Sequence, residues 1–169
     1  SRRFGNLPGV EVTRRMLAAL GNPQEGLRYI HVAGTNGKGS TCAFLNNIFT
    51  QAGLKCGCFT SPHLIHFEER ITVGRLMISK DAVTRIGNEL LAMDFGVTPT
   101  MFDYCLVMAL LYYKDCGCDV AVMETGLGGR LDSTNALGNP IAASALSSSK
   151  PIWLRNFCAA SIAAAPFSN

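Results

Sequence analysis

Hydrophobic positions along the chain alternate between the rhythm of a strand and that of a helix. Val10, Met16, Leu17 and Leu20 recur at helical spacing, and Gly21-Asn22-Pro23 stops the run. Tyr29 to Ala33 is a short apolar, β-leaning run ending at Gly34, after which Ala43, Phe44, Leu45, Ile48 and Phe49 return to helical spacing. A second strand is expected from Leu54 to Thr60, and a strand, turn and strand over Ile71 to Ile78 with the turn at Gly74. Ser79 caps the next helix, with Asp81 in its first turn, where the helix dipole favours an acid; Val83, Ile86, Leu90, Leu91 and Met93 follow. Gly96 to Pro99 is a break. Thr100 with Asp103 three residues on resembles a capping box, and it opens a helix from Met101 to Lys114 that is apolar on most faces and therefore central. Asp119 to Met123 is a β-rich run with Glu124 at its carboxyl end. Strands alternating with helices predict an α/β domain whose mostly parallel sheet is flanked by helices.

The stretch from Tyr29 to Thr41, Y-I-H-V-A-G-T-N-G-K-G-S-T, carries the clearest chemistry. A strand, a glycine-rich turn with Lys38 inside it, hydroxyls at Ser40 and Thr41 and then a helix is the layout of a phosphate-binding P-loop. Phosphate oxygens need backbone N–H donors at close range, and side chains at the loop positions would hold them off. The helix opening near Lys38 adds its positive end. Lys38 can bring a mobile charge to the outer phosphates, and Ser40 or Thr41 can offer a hydroxyl to Mg²⁺. The spacing departs from the generic G-x-x-x-x-G-K-[ST], since Gly34 and Gly37 enclose two residues and Gly39 separates Lys38 from Ser40. In an open α/β sheet the carboxyl ends of the strands face the ligand crevice, so Glu124 is a natural Mg²⁺ anchor opposite the loop.

Composition narrows the class. At 169 residues, 48% apolar and 16% charged, the chain can bury one sizeable core and is not of disordered type. A formal charge of +3 with scattered basic residues gives nucleic-acid binding little support. No apolar run reaches the roughly 20 residues of a membrane span, and no signal peptide opens the sequence. Position 1 is Ser, which points to an incomplete N-terminus. The seven cysteines include the C-x-C pairs Cys56/Cys58 and Cys116/Cys118, which lack zinc-site spacing and read as reduced, buried thiols of a cytoplasmic protein. His63 and His66 have the spacing of a metal pair, but no third ligand is near in sequence.

The form G-T-N-G-K-G-S, Gly34 to Ser40, is similar to that of the Mur-ligase-like ATP-dependent amide ligases, and the chain most resembles their folylpolyglutamate synthase/dihydrofolate synthase branch. Three further motifs follow in the right order: S-P-H-L at Ser61 to Leu64, T-x-F-D at Thr100 to Asp103, and E-T-G-L-G-G-R-L-D-S-T-N at Glu124 to Asn135. Pro8-Gly9-Val10-Glu11 is a loose version of a pterin-site segment. The resemblance implies a P-loop-containing, Mur-ligase central-domain-like fold that binds ATP and Mg²⁺. It places Gly34, Thr35, Asn36, Gly37, Lys38, Gly39, Ser40 and Thr41 on the ATP phosphates, Ser61 and Glu124 on Mg²⁺, and Lys38 with Glu124 at the reacting centre. Thr100, Phe102, Asp103, Arg130 and Asp132 would border the acceptor substrate. For Asp103, a plain helix cap and a substrate contact stand level. The implied partners are small molecules only (dihydropteroate or folate, L-glutamate and ATP) in a protein that is monomeric in the intact family.

The resemblance runs from about Pro8 to Ala143 and then fails. The family's next strand, its D-H dipeptide, its reactive lysine and its glutamate-binding C-terminal domain are not recognisable after Ala142. The expectation is therefore a truncated ATP-binding domain over 1–143, with 144–169 an unrelated or frameshifted, disordered tail and an exposed sheet edge that limits solubility. Two other readings remain: a non-catalytic ATP-binding remnant, and a ligase of the superfamily acting on a cell-wall precursor, against which the S-P-H-L and glycine-rich motifs speak.

Overall fold

A computed structural model of the protein describes residues 9–128 and 131–146. The elements are α1 (Gly9–Ala19), β1 (Arg28–Gly34), α2 (Lys38–Gln51), β2 (Cys56–Phe59), β3 (Ile71–Val73), β4 (Leu76–Met77), α3 (Lys80–Leu91), α4 (Met101–Cys116), β5 (Val120–Glu124) and β6 (Ala142–Leu146). Two short 3₁₀ turns, Phe67–Arg70 and Ser133–Leu137, complete them. The sheet order is β4-β3-β2-β5-β1-β6. β2, β5, β1 and β6 run parallel, and β3 and β4 form an antiparallel hairpin at one edge. This is the α/β architecture expected from the alternating rhythm.

Two apolar layers cover the sheet. On one face Met16 and Leu17 of α1, Ile86 and Leu90 of α3 and most of α4 pack against Tyr29, Phe59, Ile71, Ala121 and Met123. On the other face Cys42 of α2 meets Val32, Cys56, Cys58, Val120 and Val122, with Leu45 and Phe49 alongside. β2 and β5 are buried at every position, as strands sandwiched between helices must be. Gly57 on β2 makes room for the wholly buried ring of Tyr113; a Cβ there would lie 2.8 Å from it. α4 begins with the expected box: the Thr100 hydroxyl accepts from the Asp103 amide, and the Asp103 carboxylate accepts from the Thr100 amide. It ends at Gly117, whose φ of 64° suits a residue without a Cβ.

Two expectations need correction. The apolar face of α2 is Cys42, Leu45 and Phe49, whereas Phe44 and Ile48 are 71% and 61% exposed. Five apolar residues in seven exceed the width of one helical face, so some must turn outward. The strand said to be missing after Ala142 is present: Ala142–Leu146 pairs with β1 from Ile30↔Ala142 to Gly34↔Leu146, so the boundary expected at Ala143 falls inside a strand. Pro8, Gly129, Arg130 and the remainder of the expected tail, 147–169, lie outside the described residues.

Candidate nucleotide and metal site

β1 delivers the chain to Gly34 at its carboxyl end, and α2 starts four residues later at Lys38. Gly37 forms the turn between them with φ 78°, a conformation L side chains rarely adopt. The Thr41 amide and hydroxyl both donate to the Gly37 carbonyl, at 3.0 and 2.9 Å, so the hydroxyl proton of Thr41 is committed to the loop while Ser40 is exposed. Thr35 and Asn36 are exposed at the turn. Gly39 lines the adjoining cleft, and a Cβ on it would meet nothing within 4 Å. No protein neighbour demands glycine at that position; open space on the loop does suit a ligand that must come close to the backbone.

Glu124 ends β5 between β1 and β2, and it is only 4% exposed. Lys38 Nζ approaches its Oε1 at 3.8 Å, and the Ser61 amide donates to its Oε2 at 3.2 Å. Burial pushes the Glu124 carboxyl above its usual range, and the Ser61 N–H and the Lys38 ammonium only partly offset this. Lys38 and Ser61 therefore both reach Glu124, a juxtaposition that the resemblance implied. A cleft of about 370 Å³ opens beside them, lined by Gly39, Ala43 and Asn46 of α2, Cys58, Thr60 to Pro62, Leu64, Glu69, Thr72 and Glu124.

The loop that carries Ser61 is held from below. Glu69 accepts the amides of Leu64, Ile65 and His66 at 2.7, 3.0 and 2.7 Å, and these N–H donors hold its carboxyl below the usual range. His63 Nδ1 accepts from Arg70 Nε at 2.8 Å, which occupies the ring in protein structure. Among the described residues no group of three His, Cys, Asp or Glu side chains could cage a metal. Mg²⁺ does not require one: it keeps waters and binds through one or two carboxylates together with phosphate oxygens. One buried carboxylate, one serine hydroxyl and an open glycine loop fit that mode.

The candidate substrate residues divide. Phe102 stacks edge-on against Phe59, with ring centres 5.6 Å apart, and lies so close under Gly126 that a Cβ there would sit 2.8 Å from its ring. Asp103 has no exposed surface. Its Oδ1 accepts the hydroxyls of Thr13 (2.7 Å) and Ser133 (2.6 Å), and its Oδ2 accepts the amide and hydroxyl of Thr100 (2.8 and 2.7 Å). The carboxylate is thus a cap and a junction between α1, α4 and the 133–137 turn. Asp132 is also buried. It accepts the Leu127 and Gly128 amides, both at 2.9 Å, and the Thr134 amide and hydroxyl at 3.1 and 2.6 Å. Sequence reasoning missed Thr13, Glu69, Ser133 and Thr134 as site builders. Thr13 had a signal: it is a polar residue on the apolar stripe of α1, one turn from Met16 and Leu17.

No family model matches the chain. A dihydrofolate synthase/folylpolyglutamate synthase of Bacillus subtilis is 42% identical over 143 residues, 80% of this chain and 33% of its own length. The crystal structure of a folylpolyglutamate synthase from Thermotoga maritima superposes with a TM-score of 0.78 at 36% identity, covering 85% of this chain and 35% of that one. A bifunctional folylpolyglutamate synthase/dihydrofolate synthase solved with Mn, AMPPNP and L-glutamate bound gives 0.77 at 31% identity, covering 85% and 35%. Over about 80% of its length the chain is similar to members of the folylpolyglutamate synthase/dihydrofolate synthase family. It spans about a third or less of the length of the curated relatives it matches. The family is one of ligases that use ATP and a divalent metal. Among the described residues, no helix is long and apolar enough to cross a membrane.

Proposed function

We propose that this chain forms the ATP- and metal-binding part of a ligase that joins L-glutamate to dihydropteroate or to the γ-glutamyl chain of a folate. The observation that carries the reading is the convergence of Lys38, Ser61 and Glu124 beside the glycine loop. In this reading the substrate carboxylate attacks the γ-phosphorus of ATP and ADP departs. The amino group of L-glutamate then attacks the resulting acyl phosphate, inorganic phosphate leaves, and an amide forms. Such chemistry asks for alignment and charge neutralisation more than for a side-chain nucleophile.

The chain's own residues supply those requirements. The loop from Gly34 to Thr41 offers backbone N–H groups to the phosphates, and α2 adds its positive end. Lys38 neutralises charge that grows on the transferred phosphoryl group. Glu124 and Ser61 would hold Mg²⁺, which would supply neutralisation of the phosphate charge. Met101 and Leu127 are exposed and Phe102 lies against Gly126, so these three residues offer apolar surface for a flat acceptor ring. Thr100 and Asp103 support that wall from behind, Asp132 holds the loop, and Arg130 is assigned to the acceptor's anionic end.

The test is calorimetric titration of the full chain with MgATP, followed by assay of ADP and phosphate release. The reading requires nucleotide binding and turnover that depends on both a pteroate or folate and L-glutamate. Absence of nucleotide binding would overturn it, and binding without turnover would restrict the function of this chain to holding ATP.

A further inference from the structure

Beyond the buried Thr125, the loop after Glu124 has little to hold it. Gly126 and Gly128 have no side chains, and the side chain of Leu127 is fully exposed. Its anchors are the Thr125 amide on the Val32 carbonyl (2.9 Å), the contact of Gly126 with Phe102, and the two amides given to Asp132. The orientation of Asp132 therefore sets where the loop lies, and the loop begins one residue beyond the candidate metal ligand.

Asp132 is itself oriented by a hydrogen-bond chain whose direction can be read from the donors. An ionised carboxylate only accepts, so the single proton of the Thr134 hydroxyl points to Asp132 Oδ1 at 2.6 Å. The same hydroxyl lies 2.7 Å from His31 Nε2, so it accepts there, and His31 carries its proton on Nε2. Thr134 is completely buried and His31 half-buried. His31 stands on β1, three residues before Gly34, with its ring edge-on to Tyr29, whose hydroxyl donates to the Gly138 carbonyl. The strand that feeds the glycine loop is thus tied through three side chains to the segment that follows Glu124.

We propose that His31 is a positioning residue, which acts through Thr134 and Asp132 to hold the 125–128 loop so that Glu124 meets the metal of a metal–nucleotide complex. The inference rests on the function proposed above. Burial lowers the affinity of the His31 ring for a second proton, while Asp132 works in the opposite direction; the neutral Nε2–H tautomer and the imidazolium both donate from Nε2. No substrate atom touches His31 in this scheme; its effect is confined to where the loop sits.

The test compares affinity for ATP with EDTA against affinity for ATP with saturating Mn²⁺, measured by calorimetry on the full chain. Variants are His31→Leu and Thr134→Val, which break the chain, and His31→Gln and Thr134→Ser, which keep a donor and a hydroxyl. The proposal expects the breaking variants to weaken Mn²⁺–ATP binding about tenfold, the effect of losing an outer-shell partner of a metal ligand. Metal-free ATP binding should stay within about twofold, and the conservative variants should restore wild-type affinity. The double variant should be no worse than either single one, because both cut the same chain. Equal losses with and without metal would mark a merely structural role and overturn the proposal, as would failure of both conservative variants to restore binding. If wild-type protein binds no nucleotide, the functional reading fails first; if it binds and His31→Leu and Thr134→Val match it, only the positioning role fails.

Discussion

Replacing Asp103 by alanine removes the acceptor for four hydrogen bonds at once. Two of the donors, the Thr13 and Ser133 hydroxyls, are buried, and the other two form the N-terminal cap of α4. A buried polar group left without a partner costs about 1–3 kcal/mol, and loss of a capping residue about 1 kcal/mol. Against this, alanine relieves the desolvation of a buried carboxylate, a several-kcal/mol burden when a charge has no cation beside it. Four donors within 2.6–2.8 Å compensate that burden well, so the lost bonds win. The expected net loss is about 3–5 kcal/mol, a large share of the roughly 5–15 kcal/mol that holds a domain together. Urea unfolding with linear extrapolation measures it. Asp103→Asn should cost only about 1 kcal/mol. Its oxygen can serve the Thr100 amide and hydroxyl while its NH₂ donates to the two hydroxyls, which rotate to accept. An alanine variant within 1 kcal/mol of wild type would refute the reasoning, and so would an asparagine variant less stable than the alanine one.

Other expectations follow from the same geometry. Lys38→Ala should lower turnover by about 10²–10³-fold, the effect of removing one preorganised group from a developing charge, with little change in Tm because the contact with Glu124 is long at 3.8 Å. Gly39→Ala should separate stability from function: the new Cβ meets no protein atom, and alanine favours a helix by about 0.5–1 kcal/mol, so Tm rises while calorimetry shows weaker ATP binding. Glu124→Gln should raise the Tm of the ligand-free protein at neutral pH. The carboxyl is shifted upward by burial, so wild type loses stability as pH rises through that raised value, whereas the amide does not. The gain should vanish below about pH 4, where an unfolded glutamate is also neutral. A Tm difference independent of pH would contradict the desolvation argument.

What could be read from letters alone was whatever depends on local chain chemistry. A glycine turn between a strand and a helix, a threonine–aspartate cap on α4 and an acid at the end of a β-run are specified within about a dozen residues, and each stands where expected. The meeting of Ser61 with Glu124, 63 positions apart, was legible only through the resemblance, since no spacing rule links the ends of β2 and β5. Asp103 and Asp132 show the opposite difficulty. A carboxylate in a motif rich in glycine and hydroxyls looks the same in sequence whether it faces a ligand or the protein. Here the hydroxyls at Thr13, Ser133 and Thr134 turn inward and claim both acids. β6 escaped notice because Ala-Ala-Ser-Ala-Leu has neither β-branched residues nor alternation. Its strand character comes from backbone pairing with β1, a partner more than a hundred positions away.

The placement of Glu124 explains why metal and nucleotide should bind together. A carboxylate closing a strand that is buried at all five positions has little water, and Lys38 at 3.8 Å is too distant to satisfy it by hydrogen bonding. The glycine loop and the positive end of α2 present the converse, a surplus of donors seeking an anion. ATP without metal would answer the loop but bring its phosphate charge toward Glu124, and like charges repel strongly where little water screens them. A divalent cation between the two turns that repulsion into attraction. Glu124→Gln should therefore bind metal-free ATP more tightly than wild type while losing most of the gain that Mg²⁺ confers. Linkage requires the metal to strengthen nucleotide binding by the same factor as the nucleotide strengthens metal binding, and that shared factor should collapse in the variant. Titrations of both proteins with ATP in EDTA and in saturating Mg²⁺ measure it. A coupling factor unchanged by the substitution would show that the cation is held elsewhere and that Glu124 is not its anchor.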